Sequence, residues 1–215
     1  MPRRVLIIVF LCAVAVAPLK GAAQKCASSK APGWSDELRQ LYADCSNTVT
    51  APDGAITFEV GPTEQMNVLR SGQSLALIGN RRLTLPAVVS WAPSSTAFFL
   101  NDGNGSGLYS QLRLLRITNK SITESDKANH TITEIYRARN RCRKGTDNPN
   151  VYGIGWSEDG KLLYAVAQST VNSPCGEPQR YLGFVIDVES SEIKQVLSTQ
   201  QTKAKLDRFL PQELR

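Results

Sequence analysis

From Thr48 onward apolar and polar residues alternate with a period of two, and the short runs that result are separated by Gly, Asn, Asp and Pro. Runs of this kind read as half-buried strands and the separators as turns, so the pattern predicts antiparallel hairpins. The strand-like runs are Ala55–Val60, Met66–Arg70, Leu75–Ile78, Val88–Trp91, Ala97–Leu100, Leu108–Ile117, Ile154–Trp156, Leu162–Ala167, Tyr181–Val188 and Ile193–Leu197. Three stretches depart from this period. Trp34–Asp44 sets Leu38, Leu41 and Tyr42 at helical spacing behind Ser35, Asp36 and Glu37, which suit a helix start, and predicts a short N-terminal helix. Asp126–Arg141 shows helical spacing through Ile132, Ile135 and Tyr136 and then gives way to a polar loop, and Lys203–Leu214 reads as a helical tail.

Three hairpins resemble one another. Ala51-Pro52-Asp53-Gly54-Ala55-Ile56-Thr57-Phe58, Trp91-Ala92-Pro93-Ser94-Ser95-Thr96-Ala97-Phe98-Phe99 and Trp156-Ser157-Glu158-Asp159-Gly160-Lys161-Leu162-Leu163-Tyr164 repeat a small residue, a tight turn and an apolar strand. Pro presets the first turn corner and Asp and Gly tolerate the next. Further on, Leu114 to Thr123 aligns without gaps to Phe184 to Ile193, so two later strands and their polar turn repeat as well. These motifs resemble the blades of TolB-type β-propellers and, more distantly, WD-type ones, which carry a Ser-Pro-Asp-Gly-Lys turn between the first two strands and an Asp-x-x-Ser/Thr-Gly-Glu/Lys turn between the last two. The third unit, Ser157 to Lys194, fits best; the second has lost its Asp-Gly. The resemblance spans residues 46–200 and implies a mostly β fold of antiparallel four-stranded blade-like sheets, while saying almost nothing about function.

The first two turns lie 41 residues apart and the next two 65 apart, and the surplus falls on the helical insert at about 124–150. Three blades are too few for a closed propeller, which takes about four to eight. The expected architecture is therefore open or incomplete: an array with capped edges, a folded-over sandwich, or a ring closed by two chains, with the monomeric array favoured. The domain plan is a signal peptide over 1–23, a helical lead-in over 24–45, the β domain over 46–200 with its insert, and a helical segment over 201–215.

Arg3 and Arg4 before an apolar run from Val5 to Pro18, then Gly21-Ala22-Ala23, read as a secretory signal cleaved before Gln24. The expected location is periplasmic or secreted, with no membrane span in the mature chain. Cleavage removes three of the six formal positive charges and also Cys12, which leaves Cys26, Cys45, Cys142 and Cys175 in an oxidising compartment. Of three possible pairings, Cys26 with Cys45 and Cys142 with Cys175 is favoured, each stabilising by about 3 kcal/mol in the chain-entropy account.

The remaining positive charge is uneven: Arg137, Arg139, Arg141, Arg143 and Lys144 cluster at the end of the insert, as either a solvated helix end or an anion-binding patch. Nucleic acid is disfavoured by the compartment. Asp102-Gly103-Asn104-Gly105-Ser106-Gly107 has a calcium-loop spacing, but Arg113 stands where such a loop has a bidentate glutamate. With one histidine, His130, and no Cys-x-x-Cys, no metal or other cofactor is expected. No Gly-x-Ser-x-Gly elbow, zinc helix, phosphate loop or dinucleotide fingerprint is present in the sequence. Glu59 and Asp187 lie in apolar strands, where burial raises a carboxyl pKa, and Asp187 also fits a turn-capping role. Trp91 and Trp156 hold matching repeat positions and read as shared packing beneath the turn. The expectation that follows is a non-enzymatic binding or scaffold module contacting a protein or an envelope polymer through Arg137, Arg139, Arg141, Lys144, Asp102 and Asn104. The alternative is a small envelope hydrolase or an enzyme inhibitor.

Overall fold

The computed structural model describes residues 24–78, 82–103, 110–142, 148–170, 173, 175 and 180–215; the segment read as a signal peptide lies outside them. A short hairpin comes first, β1 (Ser29–Lys30) and β2 (Arg39–Leu41). The first four-stranded antiparallel sheet follows: β3 (Asn47–Thr50), β4 (Ile56–Val60), β5 (Met66–Arg70) and β6 (Gln73–Ser74). The second sheet is built on the antiparallel strands β8 (Ala87–Trp91), β9 (Ala97–Gly103), β10 (Ser110–Ile117) and β11 (Ser121–Ser125), with β7 (Ala76–Ile78) pairing parallel to β11 at its outer edge and β2 and β1 extending its inner edge. After the inserted helix α1 (Lys127–Arg139) comes the third sheet, β12 (Asn150–Trp156), β13 (Leu162–Gln168), β14 (Tyr181–Asp187) and β15 (Ile193–Leu197). The chain ends in α2 (Thr199–Leu206) and two 3-10 turns, Asp207–Phe209 and Gln212–Leu214.

The three sheets are true repeats, because their first turns are built from the same bonds. Ala51, Ala92 and Ser157 each donate their N–H across the turn, to the carbonyls of Ile56, Ala97 and Leu162, and each accepts from the residue three ahead, Gly54, Ser95 and Gly160. That third residue has a positive φ in every case, 73°, 58° and 70°. Glycine is the natural occupant of this conformation. Ser95 has lost that freedom but is held by the neighbouring repeat, since its hydroxyl accepts from Asp53 N–H at 3.0 Å. The turns of successive sheets therefore nest.

Packing between the sheets repeats in the same register. Phe58, Phe99 and Tyr164 are equivalent, and each meets an aromatic ring of the next layer: Phe98 at 5.3 Å, Trp156 at 5.3 Å and Phe209 at 5.1 Å between centroids. One core lies between the first and second sheets, around Phe58, Val89, Phe98 and Leu115. A second lies between the second and third, around Phe99, Leu114, Trp156 and Phe184, and takes in Ile132 and Tyr136 of α1. The third joins Ile154, Val166 and Tyr181 to Leu206, Phe209 and Leu210 of the C-terminal segment. Phe209 thus stands where a fourth blade would place its aromatic, and the tail caps the array. At the other end the first sheet turns Thr48, Thr50 and half-exposed Thr57 and Glu59 outward. A polar outer face is what a terminal repeat requires. The fold is an open, propeller-like array of three sheets, antiparallel throughout except where β7 joins β11.

The helix expected over 34–44 is corrected to the β1–β2 hairpin. Leu38 and Leu41 are both fully buried, but three residues along an extended chain they fall on opposite faces, Leu38 in the core against the third sheet and Leu41 in the core against the first. β2 pairs with β8, Arg39 opposite Val89, and so covers the inner edge of the second sheet. The inner edge of β12 is met by a side chain: Asn101 Nδ2 donates to Gly153 O at 2.9 Å, and its Oδ1 accepts from Gly153 N–H at 2.7 Å. Both disulfides form as expected, Cys26–Cys45 and Cys142–Cys175.

Candidate anion-binding cleft

Helix α1 ends in Arg137-Ala138-Arg139, which suits the negative end of a helix dipole. Asn140 closes it, with both its N–H and its Nδ2 donating to Tyr136 O, at 3.0 and 2.9 Å. Arg141 then takes a positive φ of 52° and turns the chain, and Cys142 N–H bonds back to Arg137 O at 3.0 Å.

This end of α1 faces the start of β14 and the first turn of α2 across a cleft of about 570 Å³. Arg139 and Asn140 line one wall, Arg180, Tyr181 and Leu182 the second, and Ser198, Thr199 and Gln200 the third. Among the described residues no Asp or Glu lines it. α2 opens with a reciprocal capping box: Ser198 Oγ accepts from Gln201 N–H at 3.3 Å and Gln201 Oε1 accepts from Ser198 N–H at 2.9 Å. Its first turn carries no acidic residue, so the positive end of its dipole meets the cleft uncompensated. Thr199 fastens this turn to β14, its hydroxyl donating to Tyr181 O at 2.6 Å and accepting from Tyr181 N–H at 3.3 Å. Tyr136, wholly buried, forms the floor; burial pushes its phenol pKa up, and Ser169 pulls it partly back.

Two exposed guanidinium groups and a helix N-terminus in one concave site favour an anion. Guanidinium groups meet carboxylate and phosphate through paired, charge-assisted N–H bonds. The volume falls in the range of pockets that enclose a ligand larger than a single ion.

Of the described residues of the basic cluster, Arg137, Arg139 and Arg141, only Arg139 lines this cleft. Arg137 is half-buried and donates to Glu134 at 3.3 Å and to Asn148 Oδ1 at 2.7 Å. Arg141 is exposed beyond the helix end, while Lys144 and Asn104 lie outside the described residues. Asp102 sits on β9 and is 8 % exposed. Its carboxylate accepts from Thr84 N–H at 3.0 Å and from Arg113 Nη1 at 2.7 Å, and Arg113 grips Glu124 with two further bonds of 2.7 and 2.8 Å. Arg113, which departs from the calcium-loop pattern, is thus the hub of a buried ion network that also holds Arg82 O at 3.0 Å. Desolvation works against the Arg113 charge, but its two acids prevail and hold its pKa above the ordinary value. Among the described residues no three His, Cys, Asp or Glu side chains gather as a metal site. His130 is exposed on α1. Asp187 caps its turn: the N–H and hydroxyl of Ser190 both donate to it at 2.8 Å and hold its pKa below the usual value.

Arg180 and the Ser198–Gln200 turn escaped the sequence reading. The signals present were the Ser198-x-x-Gln201 capping box and the Cys142–Cys175 pairing, which brings the Arg180 segment to the end of α1. A second groove, about 640 Å³, runs between the turns of the second and third sheets, but its lining mixes Arg116 and Lys161 with Asp159, Asp187 and Glu189. Charges of both signs leave it without the single-sign character of the first.

No known protein family and no curated protein matches this sequence. Among solved structures, the periplasmic gluconolactonase of Pseudomonas aeruginosa aligns with a TM-score of 0.38 and 12% identity, over 72% of this chain and 40% of that one. This chain therefore spans less than half the length of that protein. That neighbour is an enzyme, which runs against the expectation of a non-enzymatic module, and a likeness of this degree assigns the chain no reaction. The two disulfides are those of a protein that folds in an oxidising compartment, and no helix among the described residues is long and apolar enough to cross a membrane.

Proposed function

We propose that this is a periplasmic or secreted binding protein that takes the phosphate or carboxylate group of a ligand into the cleft between α1, β14 and α2. The observation that carries this reading is the convergence of Arg139 and Arg180 with the N-terminal turn of α2 in one cleft, with no acid among its described lining residues. The TolB-type character of the repeats belongs to the same reading: the three sheets form a rigid support, and the insert and tail carry the ligand-binding elements. Calorimetric titration of the mature protein with inorganic phosphate and with acetate tests it. Arg139→Gln and Arg180→Gln should each weaken phosphate binding about tenfold, the scale of one charge-assisted hydrogen bond, and raising the salt should weaken it further. Binding unchanged in both variants would overturn the reading.

A further inference from the structure

Arg70, Arg116 and Asp187 hold one equivalent position in the three successive sheets. They stand opposite Ile56, Ala97 and Leu162 of the neighbouring strand, and the residue after each, Ser71, Ile117 and Val188, donates its N–H to the carbonyl of Ala55, Thr96 and Lys161. The two arginines make the same bond. Each reaches into the next sheet, Arg70 Nη1 donating to Asn119 O at 3.1 Å and Arg116 Nη1 to Glu189 O, and both acceptors lie in the turn between the third and fourth strands of that sheet. A neutral main-chain carbonyl fixes the guanidinium without cancelling its charge.

Arg116 lines the groove of about 640 Å³ between the turns of the second and third sheets, and the facing wall carries charges that the repeat does not require. There the third sheet presents Asp159, Lys161 and Asp187, whereas at the preceding junction the second sheet presents Ser94, Thr96 and Arg116 in the same places. Both aspartates are oriented by their own turns through one oxygen. Asp159 Oδ1 accepts from Ser157 Oγ at 2.7 Å and from Lys161 N–H at 3.1 Å, and Asp187 Oδ1 accepts from the N–H and hydroxyl of Ser190, both at 2.8 Å. These bonds hold both carboxyl pKa values below the ordinary value, so both groups are charged at neutral pH. Lys161 meets Asp159 in an exposed pair at 3.7 Å, a contact that contributes little in water. Arg116 on one wall and the two aspartates on the other are therefore positioned by main-chain and hydroxyl groups rather than by each other, and a ligand that carries both charges finds them already ordered.

We propose that this groove binds a zwitterion, an amino acid or short peptide whose carboxylate meets Arg116 and whose ammonium meets Asp159 and Asp187. It is a second site, separate from the cleft at the end of α1. Guanidinium with carboxylate and carboxylate with ammonium are the charge-assisted pairs involved, and the volume falls in the range of pockets that hold small molecules.

The test titrates the mature protein with glycine, triglycine, N-acetyltriglycine and triglycinamide and follows amide chemical shifts. Triglycine or glycine should bind and shift residues 94–96, 116–118 and 159–161, the tighter of the two telling peptide from amino acid. Blocking either end of triglycine should weaken binding about tenfold, the scale of one charge-assisted hydrogen bond. Arg116→Gln should weaken triglycine about tenfold and leave triglycinamide unchanged. Asp159→Asn with Asp187→Asn keeps an Oδ1 acceptor in each turn, and it should weaken triglycine about tenfold while leaving N-acetyltriglycine unchanged. Arg139→Gln should change none of these. No binding of glycine or triglycine, equal binding of the blocked peptides, or triglycine binding lost in Arg139→Gln overturns the proposal. Should Arg116→Gln not fold, the aspartate double variant decides by the same comparison: a loss for triglycine alone supports the proposal, and an equal loss for N-acetyltriglycine, or none for either, overturns it.

Discussion

The indole Nε1 of Trp156 donates to Ser90 Oγ at 3.1 Å, across the core between the third and second sheets. The equivalent tryptophan one repeat earlier, Trp91, has its indole N–H buried without a partner, and the residue that the repeat places in the position of Ser90 is Val49. The pair Val49 opposite Phe58 matches Ser90 opposite Phe99, so the register supports this equivalence. Val49→Thr, nearly isosteric, should supply the missing acceptor and raise stability by about 1 kcal/mol, and Ser90→Val should cost about 1–3 kcal/mol by stranding the Trp156 N–H. Urea midpoints measure both; a destabilising Val49→Thr would refute the assignment.

Arg113 offers a larger effect. It is 1 % exposed and its two acids, Asp102 and Glu124, are nearly as deep. Arg113→Met removes the guanidinium that joins the two acids and should cost about 3–5 kcal/mol, the scale for breaking a buried ion pair from one side. Replacing Arg113, Asp102 and Glu124 together with apolar residues of similar volume should recover most of the loss. A triple variant no more stable than Arg113→Met would show that the cost lies in packing.

Tyr152 predicts an alkaline effect. Burial first, and the charge of Glu213 second, push its phenol up to about 12 from the ordinary 10.0. The folded state therefore keeps a proton that the unfolded chain gives up. That contribution to stability is complete below pH ~10 and is lost as the pH rises toward 12. Ultraviolet titration should show Tyr152 among the tyrosines that ionise late, the late signal shrinking in Tyr152→Phe, and the same variant should flatten the fall in stability over this interval.

The tail is testable as a cap. Phe209 is buried against Tyr164, with Arg208 stacked over its ring at 4.5 Å. Phe209→Ala should cost about 3–5 kcal/mol, the range for an aromatic lost from a core. It should also expose the outer face of the third sheet and promote association, whereas the parent protein should remain monomeric at micromolar concentration by light scattering. A variant as stable and monomeric as the parent would mean that the tail is not a cap.

The repeat was legible because strand period and turn chemistry are local: Met66–Arg70 and Ile193–Leu197 are strands with the limits read from sequence, and Lys127–Arg139 lies inside the expected helix. The first hairpin was not legible, because Leu38 and Leu41 carry helical spacing yet serve two separate cores, a demand set by sheets that form later in the chain. The same holds for Arg113, whose burial depends on acids from β9 and β11. Half of the cleft was visible in the basic end of the insert. The other half, Arg180 and the α2 turn, comes from segments about 40 to 60 residues away that only the third sheet and the disulfide bring together.

The short reach from Leu38 to Leu41 bears on how the molecule comes apart. A linear array with nearest-neighbour contacts tends to fray from its ends, one layer at a time. By planting adjacent anchors on both sides of the second sheet, the N-terminal hairpin acts as a rivet through two interfaces, so that loosening one strains the other. The Cys26–Cys45 bridge fixes the chain beside that rivet, just ahead of β3. The three layers should therefore melt as one cooperative unit, with a single step in thermal unfolding where an unriveted array would show several.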